Sequence, residues 1–107
     1  MIIDDNLKII KLIDAYGKLL TDRQYDMMTF YYFDNLSLSE IAYNYDVSRQ
    51  AVSDCINKSI KILSNLEEKL QVVANNEVVI EKLSNIRENL SDDNLMKKMD
   101  EVLNLLK

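Results

Sequence analysis

Apolar residues recur every three or four positions along most of the chain, which is the spacing expected of helices with one buried face. The pattern predicts helices over residues 4–20 and 21–33, a short helix from residue 38 and a long one from residue 49 to about residue 75. Two further striped helices follow it. The chain contains no proline and only one glycine, so few positions break a helix. We therefore predict an all-α fold in which short polar turns join successive helices.

Residues 38–57 are the most informative stretch, because a short turn there separates two of the predicted helices. Ser37 and Glu40 have the spacing of a capping box, and Ser48 is placed to cap the second helix. Ala42 provides the small side chain that two steeply crossing helices need where they meet. This combination predicts a helix-turn-helix. Its predicted inward-facing residues are Ile41, Ala42, Tyr45, Val47, Val52, Cys55 and Ile56.

The remaining helices suggest a two-part organisation. Residues 1–75 are predicted to form the helix-turn-helix domain, and residues 76–107 a helical extension that packs on it or on a partner subunit. Gly17 lies inside the first predicted helix, where it indicates close approach of another helix. The apolar seam from Ile56 to Val73, together with the later striped helices, exceeds what a small domain covers by itself. This surplus predicts a homodimer.

Composition excludes several classes of site. The chain has no histidine and a single cysteine, which excludes a histidine-based catalytic triad and a zinc site. The sequence has neither a glycine-rich phosphate loop nor a nucleophile elbow, so we expect no enzyme and no cofactor. No segment approaches the ~18 consecutive apolar residues of a membrane span, and the N-terminus lacks a secretory signal. The expected location is cytoplasmic.

Charge is unevenly distributed, although the net value of −5 is acidic. Residues 48–64 are net positive, with three basic residues against Asp54. In a major groove, arginine can pair with guanine and glutamine with adenine. The predicted base-contact residues are Arg49, Gln50, Ser53 and Asn57, and the predicted phosphate-contact residues are Ser48, Arg23, Lys58 and Lys61. The alternative interpretation is that these side chains are only capping and solvated residues.

Three strings carry a family resemblance: Leu20–Gln24, Tyr31–Ala42 and Val47–Val52. They resemble region 4 of bacterial sigma factors, a helix-turn-helix module that reads promoter DNA. The chain up to about residue 75 is similar to the YlxM-like bacterial proteins, whose genes commonly lie beside those of the signal recognition particle GTPase and its receptor. The resemblance implies a sigma region 4-like bundle with a long recognition helix and C-terminal helices. Asp46 departs from the glycine that most such turns prefer.

Two functions are consistent with these observations. The first is a DNA-binding transcription regulator linked to the signal recognition particle pathway. The alternative is an adaptor that uses the same fold to bind the particle's GTPase, its receptor or its RNA. The intact motif favours the regulator, whereas the acidic balance and the small number of basic residues favour the adaptor.

Overall fold

The computed structural model describes residues 6–107, and this part of the chain is built from helices without strands. Its α-helices are α1 (Asn6–Tyr16), α2 (Asp22–Tyr32), α3 (Leu38–Tyr45), α4 (Arg49–Leu70), α5 (Val72–Glu88) and α6 (Asp93–Leu106). The predicted all-α fold is confirmed. The predicted start of the first helix at residue 4 lies outside the described residues. No helix within residues 6–107 is long and apolar enough to span a membrane.

The chain divides into two compact units between Leu70 and Gln71. The first unit contains α1 to α4, and α4 contacts each of the other three helices. The second unit contains α5 and α6, which contact each other. The division into a domain over residues 1–75 and an extension over residues 76–107, packed on that domain or on a partner subunit, stays a prediction.

The core of the first unit forms around one face of α4. Val52, Ile56 and Leu63 are fully buried on this face, at intervals of four and seven residues. Ser59 is also fully buried, and its hydroxyl donates a hydrogen bond of 2.8 Å to the carbonyl oxygen of Cys55, which satisfies the polar group. The other helices contribute the buried residues Ile9, Leu12, Ile13, Tyr16, Met27, Met28, Tyr32, Ile41 and Ala42.

Two capping boxes determine where α2 and α3 begin. The Thr21 hydroxyl accepts from the Gln24 N–H at 3.2 Å, while the Gln24 side chain accepts from the Thr21 N–H at 3.0 Å. Ser37 and Glu40 form the same reciprocal pair, with both distances 3.1 Å. Each box satisfies two backbone donors that a helix start leaves unpaired. The predicted Ser37–Glu40 box is confirmed.

Gly17 lies where α1 meets α2. A Cβ atom on this residue would lie 2.8 Å from Cε1 of Tyr25 and 3.3 Å from Cγ2 of Ile13, so a side chain here would force the Tyr25 ring to move. The predicted close approach is confirmed. The helix itself differs from expectation, because α1 ends at Tyr16 and the chain continues as a 3₁₀-helix over Gly17–Leu19. Glycine has a low helix propensity, which favours this change.

The long helix ends earlier than predicted. It stops at Leu70 because Gln71 adopts a left-handed backbone with φ 54°, and α5 starts at the next residue. Asn75 and Asn76, which were expected to end the helix, lie inside α5 instead. Glutamine has no particular preference for left-handed backbone, so no sequence signal marks this break. The predicted seam to Val73 is therefore not a continuous stripe on a single helix.

The second unit is a helical hairpin with little buried surface. None of the residues of α5 is buried, and in α6 only Leu103 is. Arg87 and Asp100 form an ion pair between the two helices, and the Asp92 side chain caps α6 by accepting from the Asn94 N–H at 2.8 Å. The hairpin carries an open groove of about 310 Å³, which we call the hairpin groove. It is lined by Leu83, Ile86, Leu90, Leu95, Lys98, Met99 and Val102.

Ala42 gives a direct test of packing at the α3–α4 crossing, since it is only 6% exposed. The Ala42→Leu variant should be destabilised by about 1–3 kcal/mol, because the added atoms overpack a filled site. Ala51 on α4 is exposed, so Ala51→Leu is a matched control that should unfold like the parent. Urea denaturation followed by circular dichroism measures both. Equal stability of the two variants would contradict the packing described here.

Candidate nucleic-acid interface

The turn between α3 and α4 consists of Asp46, Val47 and Ser48. Asp46 adopts the left-handed conformation, with φ 53° and ψ 47°, and the Val47 N–H donates to the carbonyl oxygen of Ala42 at 3.1 Å. Aspartate is one of the few residues other than glycine that occupy this conformation at modest cost. The Ser48 hydroxyl accepts from the Ala51 N–H at 3.0 Å and so caps α4. This short turn joins two capped helices.

The predicted inward-facing residues divide into two groups. Ile41, Ala42, Val52 and Ile56 are buried and hold α3 and α4 to the rest of the unit. Tyr45, Val47 and Cys55 are only partly buried. The burial of α4 on one side leaves its opposite side facing solvent, beginning directly after the turn.

The exposed side of α4 carries most of the predicted contact residues. Arg49 and Gln50 lie in the first turn of the helix, and both are exposed. Asp54, Lys58 and Lys61 are also exposed and continue the side that begins at Gln50, at intervals of four, four and three residues. Ser53 is half-buried beside them. We call the side formed by Arg49, Gln50, Ser53, Asp54, Lys58 and Lys61 the α4 face.

Gln50 is oriented by its neighbour one turn along α4. Its Nε2 donates a hydrogen bond of 2.8 Å to Oδ1 of Asp54. An ionised carboxylate can only accept, so the amide nitrogen must face Asp54. The second Nε2 hydrogen and Oε1 are still free to pair with a ligand, which is the combination that adenine requires. Asp54 thus orients a candidate base-reading side chain and also places a negative charge on the α4 face.

Asn57 lies differently from the other predicted base-contact residues. It is half-buried, and its Oδ1 atom is buried without a hydrogen-bond partner among the described residues. A bidentate contact with adenine requires that oxygen at the surface. The arrangement of Asn57 therefore does not present both of its polar atoms to a ligand. Asn57 was expected on the exposed face of the second helix, but the packing of α4 buries its oxygen.

Arg23 lies beside α3 rather than along the α4 face. Its guanidinium group stacks over the Tyr45 ring, 5.1 Å from the centroid. The Phe30 ring is 6.4 Å from the same ring, centroid to centroid. Burial raises the pKa of Tyr45, and the nearby Asp26 carboxylate raises it further, while the charge of Arg23 opposes the shift. We call Arg23, Asp26, Phe30 and Tyr45 the Tyr45 cluster.

The Tyr45 cluster supports α3 from α2. Its α2 members, Arg23, Asp26 and Phe30, are spaced three and four residues apart and so share one side of that helix. Arg23 and Tyr45 were predicted separately from the sequence, whereas Asp26 and Phe30 were not predicted. The helical spacing from Arg23 was the signal that could have found them.

Among residues 6–107 no three metal-binding side chains lie together.

Comparison with known proteins identifies the family. The model of the UPF0122 family, described as "Putative helix-turn-helix protein, YlxM / p13 like", matches residues 3–102. The chain belongs to this YlxM/p13-like family. The YlxM-like resemblance inferred from the sequence is therefore confirmed, and the match includes both compact units.

Relatives in several bacteria extend over most of the chain. A UPF0122 protein of Shouchella clausii is 41% identical over 91 residues, which is 85% of this chain and 84% of the relative. A UPF0122 protein of Fusobacterium nucleatum is 33% identical over 103 residues, covering 96% of this chain and all of its own length. One from Malacoplasma penetrans is 51% identical over 69 residues, covering 64% of each chain. The YlxM/p13-like similarity thus includes the α4 face and, in the longer matches, the hairpin.

Titration of Tyr45 tests the Tyr45 cluster. The Asp26→Asn variant should lower the pKa of Tyr45 towards its usual value, and Arg23→Ala should raise it, because the two charges act in opposite directions. A pKa raised by folding means that the unfolded chain loses its phenolic proton first as the pH rises. Stability should therefore fall above about pH 10.

Phenolate absorbance measures this pKa, with the Tyr45→Phe variant supplying the background of the other tyrosines. A Tyr45 pKa that responds to neither substitution would contradict the cluster.

Proposed function

We propose that this protein is a non-enzymatic, cytoplasmic, DNA-binding regulator that reads duplex DNA with the α4 face. The observation that carries this proposal is the placement of Arg49 and Gln50. Both are exposed, and both lie in the first turn of α4, directly after the three-residue turn that joins it to α3. In DNA-binding helix-turn-helix proteins, the residues at this position contact base edges. Membership of a helix-turn-helix family supports the same function.

Each polar group of the α4 face has a role in this proposal. Arg49 pairs with guanine through its fork of donors, and Gln50, oriented by Asp54, pairs with adenine. Ser53 lies one turn after Arg49 and is placed for an adjacent base. The phosphate contacts come from the Ser48 end of the helix and from Lys58, Lys61 and Arg23. Asn57 contributes at most through its amide nitrogen, since its oxygen is buried.

The acidic charge of this protein should make its sequence-independent affinity for DNA low. The chain has a net charge of −5, and Asp54 lies among the cations of the α4 face. Each phosphate that a protein neutralises contributes roughly 0.9 to the slope of affinity against salt on logarithmic axes. Few cations therefore give a shallow slope and poor non-specific affinity. Under this proposal, specificity depends mainly on the base contacts.

The alternative function is an adaptor of the signal recognition particle pathway. The carboxylate of Asp54 on the α4 face favours the protein-binding form of this adaptor, because the group repels phosphate but can accept from the basic side chains of a protein. The adaptor would bind the particle's GTPase, its receptor or its RNA. It predicts no saturable binding of duplex DNA even at low salt, and a partner complex that survives the Arg49→Ala substitution.

Base reading is tested by selecting a preferred site from random duplexes and measuring affinity by fluorescence anisotropy. Arg49→Ala and Gln50→Ala should each lose about 1–3 kcal/mol on that site and relax discrimination at one base pair. Lys58→Ala and Lys61→Ala should weaken all duplexes alike and make the salt slope shallower by roughly 0.9 each. Lys18 lies outside the α4 face and is exposed, so Lys18→Ala is the matched control.

The result that would overturn the regulator is the absence of saturable binding by the parent protein at low salt. Loss of affinity that is uniform across sequences in Arg49→Ala would instead remove the base-reading role of that residue.

Asp54 provides an independent test through charge. Asp54→Asn removes the carboxylate charge but keeps an oxygen that can accept from Gln50 Nε2. Affinity for all duplexes should rise about twofold, which corresponds to one charge acting on phosphate at ~8 Å in water. Asp54→Ala should add the same gain but also weaken discrimination at the base read by Gln50, because it releases that side chain. Equal sequence preference in the two variants would contradict the orienting role.

A further inference from the structure

The hairpin of α5 and α6 leaves an unusual amount of apolar surface uncovered. None of the 17 residues of α5 is buried. Val79 and Ile86 of α5 and Leu95 and Val102 of α6 are all between 42% and 50% exposed. Ile86, Leu95 and Val102 line the hairpin groove. Helices of soluble proteins bury such a stripe, so this one lacks its packing partner.

Taken by itself, the hairpin is smaller than most units that are stable with their own contacts alone. It spans residues 71–107, and chains below about 40 residues usually need a disulfide, a metal or association. A pair of helices becomes stable when further helices cover its apolar side, as in four-helix bundles. The apolar side of the hairpin needs to be covered whenever the chain is folded. A permanent partner, present at matching concentration, therefore fits better than a transient one.

The size of this side suits association. At 1.5 Å per residue α5 is about 25 Å long and α6 about 21 Å, and two helices side by side are roughly 20 Å wide. The flat area of such a face is about 500 Å², which is more than half of the ~800 Å² per partner of a standard interface. The surface is also mostly apolar, because Lys98 is the one charged residue that lines the hairpin groove.

The charged residues beside the groove would complement those of a second copy of the chain. Lys98 and Glu101 lie one turn apart on α6, and neither has an ion-pair partner among the described residues. A two-fold axis between antiparallel α6 helices would place Lys98 of each copy near Glu101 of the other. In such a contact, every pair occurs twice. A strongly acidic or strongly basic partner would match only one member of the pair.

We propose that a second copy of this chain covers the hairpin groove, so that the two hairpins form a four-helix bundle. This places the homodimer contact on α5 and α6 rather than on α4, whose residues Ile56, Ile60 and Leu63 are already buried within the first unit. The inference does not rest on DNA binding. Failure of either proposal can therefore be recognised without the other.

Sedimentation equilibrium of the full chain tests the proposal. The parent should sediment at about twice its mass of 12.5 kDa. Ile86→Asp and Val102→Asp should each raise the dimer dissociation constant at least about tenfold, because each would bury an unpaired carboxylate in an apolar contact. The matched control is Val78→Asp, since Val78 lies on the same helix, is 48% exposed against 50% for Ile86, and does not line the groove. This variant should remain dimeric.

Charge reversal tests the pairing of the α6 helices. Lys98→Glu and Glu101→Lys should each weaken the dimer, because like charges then face each other across the axis. An equimolar mixture of the two variants should form a heterodimer, since opposite charges meet again. A monomeric parent at high micromolar concentration would overturn the proposal, and so would dimers that survive both groove substitutions. Dissociation by Val78→Asp as readily as by Ile86→Asp, or indifference to both charge reversals, would also overturn it.

Discussion

Burial of one face of α4 is the interaction on which the first unit depends. Val52, Ile56 and Leu63 are inaccessible to solvent, and the helix that carries them contacts α1, α2 and α3. Burying a single side chain of this size contributes about 1.5–3 kcal/mol, a large fraction of the stability of a small domain. A hydrogen bond adds to this packing: the Tyr16 hydroxyl donates to the Glu67 carboxylate at 2.7 Å, near the C-terminal end of α4. The same burial determines which side of α4 faces solvent.

The side of α4 that faces solvent is the one that can bind a ligand. A helix whose one side is fixed in a core presents its other side rigidly, and a rigid helix positions donors and acceptors better than a loop does. In the Tyr45 cluster, side chains of α2 pack against Tyr45 and so hold α3, the helix before the turn, in place. The α4 face has few cations and includes Asp54, so its chemistry suits selective contacts rather than general attraction to a polyanion.

The two units differ in how they obtain stability. The first has a core shared by four helices, whereas the second has two helices joined by the Arg87–Asp100 ion pair and a single buried residue, Leu103. The ion pair is partly exposed on both sides, and such pairs contribute little to stability. Association through the hairpin groove would bury the apolar side chains that the second unit leaves exposed. It would also bring two copies of the α4 face into one molecule, as palindromic DNA sites require.

The sequence alone determined the features that depend on short-range interactions. Capping boxes such as Ser37–Glu40 act over three residues, and helical spacing identified the all-α fold. Of the seven residues predicted to face inward, four are buried, whereas Tyr45, Val47 and Cys55 are only partly buried. The tertiary structure decided the rest. The left-handed Gln71 ends α4 without a local signal, and the buried oxygen of Asn57 depends on how α4 is rotated against its neighbours. The ring stacking of Arg23 on Tyr45 joins residues far apart in the chain, which only packing can bring together.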